Sequence, residues 1–474
     1  MRQTNKIRKG IAWLLCTVLV LGILPMLPQM SMQISAAENA ASVFVDGVEL
    51  HAGGKKYFKN GDTADSGATG TDEDHSAYYD TAGELWLNNL EAHTIKANGN
   101  LTIYVCNNQE TNTNIVTATQ NETAIEVTGY LTIQYGGYGE TGSLTVESDG
   151  KEAIQAGSGM TVSDGVEVKV RAKSGATAIS SGGVLKIDGI RTKLEAASDG
   201  STGKGIFAQQ SIYVKNSAVL TAFGGAAAYE SPSGIDKSGY GYEDYNVFTG
   251  DAAPGTQAAK DTALDGYKYI RIEPTGVANV KTLTELQAAA QNQYISLINV
   301  MNDITITDTV YVRRAVTIQS PDVSNVSKLI RGKSHTDVIL DFDGANGHKS
   351  DVVTLKNIIV DGNKDGNTQT ASPALKSKSI LVDLESGTVI ENNHAKEGAA
   401  IYVNHYSTVT MKEGSEIRNN LSESDGTVYV IGNGGYFEMA GGTISGNTVA
   451  GNGGGIYEFG GGSARMTGGT ISGN

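Results

Sequence analysis

Tyrosines set among glycines are the residues of this chain best suited to chemistry. Gln134-Tyr135-Gly136-Gly137-Tyr138-Gly139 reads as an enlarged turn in which the glycines leave both rings projecting, and Tyr240, Tyr242 and Tyr245 crowd a second non-periodic segment. Sugar rings stack their C–H faces on flat apolar side chains while their hydroxyls seek nearby polar groups, so Tyr135, Tyr138, Tyr240 and Tyr242 are the predicted carbohydrate-binding residues. The competing reading folds these rings back onto a sheet. Oxygen donors form a second pattern. Asp361-Gly362-Asn363-Lys364-Asp365-Gly366 has donors at positions 1, 3 and 5 and glycine at 6, as in a calcium loop. Asp361, Asn363 and Asp365 are therefore the candidate metal ligands, and calcium is the one cofactor the sequence suggests. Position 12 is Ser372, where a bidentate glutamate is expected, so a plain turn competes here. Asp341-Phe342-Asp343-Gly344 reads as a turn before it reads as a ligand pair.

Whatever these residues do, repeated short strands must position them. Gly387-Thr388-Val389-Ile390-Glu391-Asn392-Asn393 returns at Gly414, Gly441 and Gly468, each time after 27 residues. The pattern G-x-x-I-x-x-N aligns Ile390, Ile417, Ile444 and Ile471, and likewise Asn393, Asn420, Asn447 and Asn474. Val360-Asp361-Gly362-Asn363 matches its second half, 30 residues ahead of Asn393. Glycines and β-branched residues in every unit disfavour helical repeats. Stacked β coils put each residue about 4.8 Å above its counterpart. Aliphatics then form a dry column, and the four asparagines are predicted to form a structural ladder. Tyr402, Tyr429 and Tyr457 recur in a second column, read as a structural stack.

The first half repeats with different wording. Ala124-Ile125, Ala153-Ile154, Ala178-Ile179 and Gly205-Ile206 each precede Leu131-x-Ile133, Met160-x-Val162, Leu185-x-Ile187 and Ile212-x-Val214, at spacings of 29, 25 and 27. A third strand-like run follows in each coil. Three short strands in about 27 residues is what a parallel β-helix requires. The expected fold is all-β, with two consecutive β-helical units. The first spans 38–275 and the second 276–474, with Pro274-Thr275-Gly276 at the boundary. Thr282-Leu283-Thr284-Glu285 is a capping box opening a short helix that covers the start of the second stack.

Residues 1–37 read as a secretory signal: Arg2, Lys6, Arg8 and Lys9, an apolar run from Ile11 to Leu27, then Ser35-Ala36-Ala37 for cleavage. The expected location is extracellular, secreted or attached to the cell surface, with no membrane insertion after signal removal. Cys106 is then the only cysteine, so no intrachain disulfide is expected. Four of the 36 basic residues leave with the signal, so 51 acidic residues face 32 basic ones, a formal charge of −19. That argues against nucleic acid or anionic lipid as a direct partner. The chain stops at the end of a repeat, and the expectation is that the natural protein continues beyond Asn474.

Gly453-Gly454-Gly455-Ile456-Tyr457 and Gly468-Gly469-Thr470-Ile471-Ser472-Gly473-Asn474 resemble the pectin-lyase-like right-handed β-helix repeats of bacterial surface proteins and adhesins. Val280-Lys281-Thr282-Leu283-Thr284-Glu285-Leu286 is similar to the N-terminal cap of that class. The first half resembles the β-helical carbohydrate-binding domains of secreted Firmicutes proteins. A polygalacturonase-type hydrolase within this class would need paired carboxylates, a G-H-G and an R-x-K. Arg191-Thr192-Lys193 fits the last, and Gly347-His348-Lys349 departs from the second. These resemblances imply a non-catalytic carbohydrate-binding or adhesive protein whose partner is a polysaccharide or a host or cell-surface glycan. The alternatives are a calcium-dependent pectate-type lyase and a structural surface stalk.

Overall fold

The computed structural model describes residues 39–51, 57–64, 67–71, 74–106, 113–119, 121–137, 142–241, 243–344, 350–367 and 369–474. The signal-like segment 1–37 and the Gly347-His348-Lys349 tripeptide therefore lie outside the described residues. The chain is almost all β, a parallel β-solenoid of about 13 turns of roughly 27 residues. Among the described residues no helix is long and apolar enough to cross a membrane.

The register follows from the alternation of the sequence. Each coil of the first half sends one apolar set inward on each of three faces. Ile125, Ile154, Ile179 and Ile206 stack on the first face. Leu131, Met160, Leu185 and Ile212 stack on the second, and Val146, Val170, Ala196 and Ala222 on the third. A one-residue slip would turn every one of these side chains to solvent, which pins the register. The bend between the first two faces stacks just as closely. A Cβ on Gly157 would lie 2.2 Å from the Thr128 carbonyl oxygen, and one on Gly182 1.9 Å from that of Gly157. Only glycine fits there.

The N-terminal end is closed by antiparallel strands. Ser42–Val45 lies against Ile95–Ala97 on the first face, and Ala77–Tyr79 against Glu84–Asn88 on the second. Antiparallel pairing at this end covers the edges that the first coil would otherwise expose.

The halves are joined by one strand, Tyr269–Val280, which runs straight through the tripeptide expected to mark a boundary. Its first part pairs antiparallel with Val219–Gly224, and its second part pairs parallel with Leu297–Val300. A hairpin strand, Glu243–Gly250, pairs antiparallel along it. The third face is thus one sheet through both halves. The buried side chains nevertheless form two clusters, one ending at Ile272 and one beginning at Ala278.

The helix Leu283–Gln291 follows. Both bonds of the Thr282/Glu285 capping box are made, and Leu286, Ala289 and Ala290 are buried against the first strands of the second stack. Beyond it Ile390, Ile417, Ile444 and Ile471 lie in register, as their spacing predicts.

Candidate functional site

The four repeated asparagines stand in one column. Asn393 donates from Nδ2 to Asn420 Oδ1 at 3.0 Å, Asn420 to Asn447 Oδ1 at 2.9 Å, and Asn447 to Asn474 Oδ1 at 2.7 Å. Each acceptor oxygen also takes the backbone N–H of the asparagine before it. Asn363 does not extend the column. It adopts a positive φ of 52° and donates to the Arg331 carbonyl, while Gly362 packs against Asn393. With no amide above it, Asn393 Oδ1 is buried without a partner among the described residues.

Of the tyrosines predicted to bind sugar, Tyr138 and Tyr242 lie outside the described residues. Tyr135 folds back against the core with its hydroxyl buried, and the backbone at Gly137 and Gly142 closes over its ring. Tyr240 is a core residue: its hydroxyl donates to the Ala218 carbonyl, and its ring packs 4.8 Å from that of Tyr245. The projecting-ring expectation fails at Tyr135, where the neighbouring glycines let the chain close over the ring as readily as they would let it project.

A column the sequence reading missed lies on the outer side of the second face. Tyr78, Trp86 and Tyr104 stack with centroids 5.9 and 4.1 Å apart, and Asp80 accepts the Trp86 indole N–H at 3.1 Å. A Cβ on Gly136 would meet both Trp86 and Tyr104 within 2.9 Å, so the Tyr135 turn rests on their edges. The alternation Glu84-Leu85-Trp86-Leu87 and Leu101-Thr102-Ile103-Tyr104 was the available signal. Tyr402 and Tyr429 stack likewise, 5.3 Å apart, Tyr457 packs tilted 5.4 Å from Tyr429, and burial pushes the Tyr429 hydroxyl up to about 12. Rings in such columns spend their faces on one another.

Two of the three candidate calcium ligands, Asp361 and Asn363, make contacts within the protein. Asp361 lies 3.5 Å from the Lys328 ammonium and accepts the Asn363 N–H at 2.9 Å, while Asp365 is exposed on the turn. Among the described residues no group of three or more His, Cys, Asp or Glu side chains is placed to hold a metal ion. Arg191 bonds to the Tyr294 hydroxyl and Lys193 lies 4.0 Å from Glu167, so the R-x-K pair serves ion and hydroxyl contacts on the surface.

Among the described residues several exposed rings lie outside these stacks, Phe44, Tyr294 and Tyr311 among them. Tyr311, in the strand Val310–Val312, is 43 % exposed and borders a cavity of about 450 Å³ lined by Ala290, Gln291, Gln293, Arg313 and Arg314. Val310 and Val312 point inward, so the alternation drives Tyr311 outward. The walls are fixed from beneath. Arg314 donates to the Ala289 carbonyl at 2.8 Å and to that of Ile295, gripping the end of the helix, and burial pulls its guanidinium down to about 10. Arg313 places its guanidinium 5.5 Å from the Tyr311 ring centre. In register below Tyr311 come Asp341 and then Lys376. Burial holds the Asp341 carboxyl above the ordinary range, against the pull of Lys376, with Asp343 adding to the rise. An exposed ring, amides and a guanidinium around one opening can stack a sugar face and bond its hydroxyls. A wider groove, about 1100 Å³, lies beside Phe44, but Asp46 and Asp62 there already accept backbone N–H groups.

Fold and repeat together define a parallel β-helix of the pectin-lyase-like kind, and the likeness to adhesins comes from one segment. Residues 277–413, which include the Tyr311 cavity, match the family of pectate lyase-like adhesive domains. No curated protein and no solved structure matches the chain. An adhesive or carbohydrate-binding role fits this fold and family.

Proposed function

We propose that the chain is a non-catalytic glycan-binding adhesin, secreted or displayed at the cell surface, whose second half takes a polysaccharide or surface glycan at the Tyr311 cavity. The observation that carries this reading is the unstacked, exposed Tyr311 ring with Gln291, Gln293 and Arg313 around it, inside the segment that matches the adhesive family. Asp341 and Lys376 continue the same outward row and offer further hydroxyl partners. A calcium-dependent lyase would need carboxylates converging on an ion and a base beside the proton it removes. The Asp341 and Asp343 carboxylates are instead interleaved with Lys376 and Lys378 on the neighbouring strand. Screening the purified chain on a glycan array, with and without calcium, should give binding to a restricted set of glycans. Polygalacturonate should yield no rise in ultraviolet absorbance from unsaturated product. A calcium-dependent rise abolished by Asp341→Asn would replace the adhesin reading with a lyase.

A further inference from the structure

Residues of the two halves meet at a buried polar contact made by Asn292, which lies between two residues lining the Tyr311 cavity. Asn292 ends the helix Leu283–Gln291, and its side-chain amide donates to Glu243 Oε1 at 3.0 Å and to Ser217 Oγ at 3.2 Å. Ser217 precedes the last third-face strand of the first half, Glu243 opens the hairpin strand, and Asn292 belongs to the second half. All three are buried, and Glu243 is only 6 % exposed. Its second oxygen, Oε2, is buried without a hydrogen bond of ordinary geometry among the described residues, although the Ser217 hydroxyl and backbone N–H also act on the carboxyl. An ionised carboxylate in that position bears a desolvation cost that a neutral carboxyl does not.

Asn292 also stands between Gln291 and Gln293, which line the cavity. Its backbone N–H closes on the Ala288 and Ala289 carbonyls, and its side-chain oxygen accepts the Tyr294 N–H at 3.0 Å. Arg314 holds the Ala289 carbonyl from the cavity side. The cavity wall is therefore anchored at two points, one of them a carboxyl contributed by the hairpin.

We propose that Glu243 is a positioning residue of the Tyr311 cavity, setting the Gln291–Gln293 wall through Asn292 in a manner that depends on the charge of its carboxyl. The consequence for affinity rests on the glycan-binding reading of that cavity; the coupling itself does not. Burial pushes the Glu243 carboxyl up, against the pull of Ser217 and Asn292. The titratable groups around it are Tyr240, whose hydroxyl is sensitive to the Glu243 charge, and Tyr245 and Glu273, which act on Tyr240 in turn. Of the nearby cations, Lys260 pairs with Asp244 and Arg191 bonds Tyr294. With the folded value above the unfolded one, the native chain keeps a proton that the unfolded chain has lost. The contribution of the contact is full below the ordinary carboxylate value and is lost as pH rises through the raised one. The wall is firm in acid and looser at neutral pH.

Amide hydrogen exchange of the whole chain, corrected for intrinsic rates, reads this without any glycan. Protection of the amides at 291–294 should fall about tenfold between about pH 4 and about pH 8. Glu243→Gln keeps a neutral acceptor and should hold protection high at both pH values, whereas Glu243→Ala should leave it low at both. Equal protection of the unaltered chain at the two pH values, or a Glu243→Gln variant that follows the unaltered chain, would overturn the proposal. If exchange behaves as expected and the array is blank, Glu243 positions the wall and the glycan reading is what fails.

Discussion

Two ends of one outer face pack tyrosine differently. At the lower end Tyr402, Tyr429 and Tyr457 occupy successive coils and pack ring against ring. At the upper end Tyr311 is followed by Asp341 and Lys376, and its ring stays exposed. Strand spacing accounts for the difference, because coils about 4.8 Å apart bring recurring rings into contact and consume their faces. A recurring outward aromatic in such a solenoid is thus a structural column, whereas Tyr311, with no ring on the neighbouring strand, keeps its exposure. The Tyr78, Trp86 and Tyr104 column on the other half obeys the same rule.

The strongest perturbation of the columns should come from Asn420→Leu. It removes the acceptor of two Asn393 N–H groups and leaves Asn447 without its amide neighbour above, at roughly 1 to 3 kcal/mol for each buried group left unpaired. Denaturant unfolding should show a loss of at least about 3 kcal/mol in the second half; unchanged stability would mean that the column does not hold the coils together. Tyr429→Ala should come next, at about 2 to 4 kcal/mol, from a buried ring lost between two others. Its glycan binding should match that of the unaltered chain. The smallest effect is a gain. Lys376→Tyr would extend the stack toward Asp341 and should add about 0.5 to 1.5 kcal/mol; a loss of stability would show that the charged row is needed where it stands.

Much of the fold was legible because a solenoid writes its register into its period. The 27-residue spacing alone placed Ile390, Ile417, Ile444 and Ile471 in one column, and the Ala-Ile and Leu-x-Ile offsets placed three faces of the first half. Features that do not recur were harder to read. Tyr311 occurs once, and its exposure depends on what Asp341, Lys376 and the helix put around it. Trp86 and Tyr104 escaped notice because Leu85 pairs with Ile103, 18 residues on, where the first coil is short of the usual period. Asn363 matched the repeat in letters, but its positive φ takes its amide to Arg331. Tyr240 sat in a segment without periodicity, where only the hairpin built by Glu243–Gly250 decides what is covered.

The central claim is that an unstacked ring, and not a stacked one, is the binding surface. Titrating the strongest array glycan into the unaltered chain, Tyr311→Ala and Tyr429→Ala, with a melting curve for each, tests it directly. Tyr311→Ala should weaken binding by about tenfold or more, roughly 1.4 kcal/mol, while its melting temperature stays near that of the unaltered chain. Tyr429→Ala should do the reverse, lowering the melting temperature and sparing affinity. A Tyr311→Ala variant that binds as tightly as the unaltered chain would contradict the account.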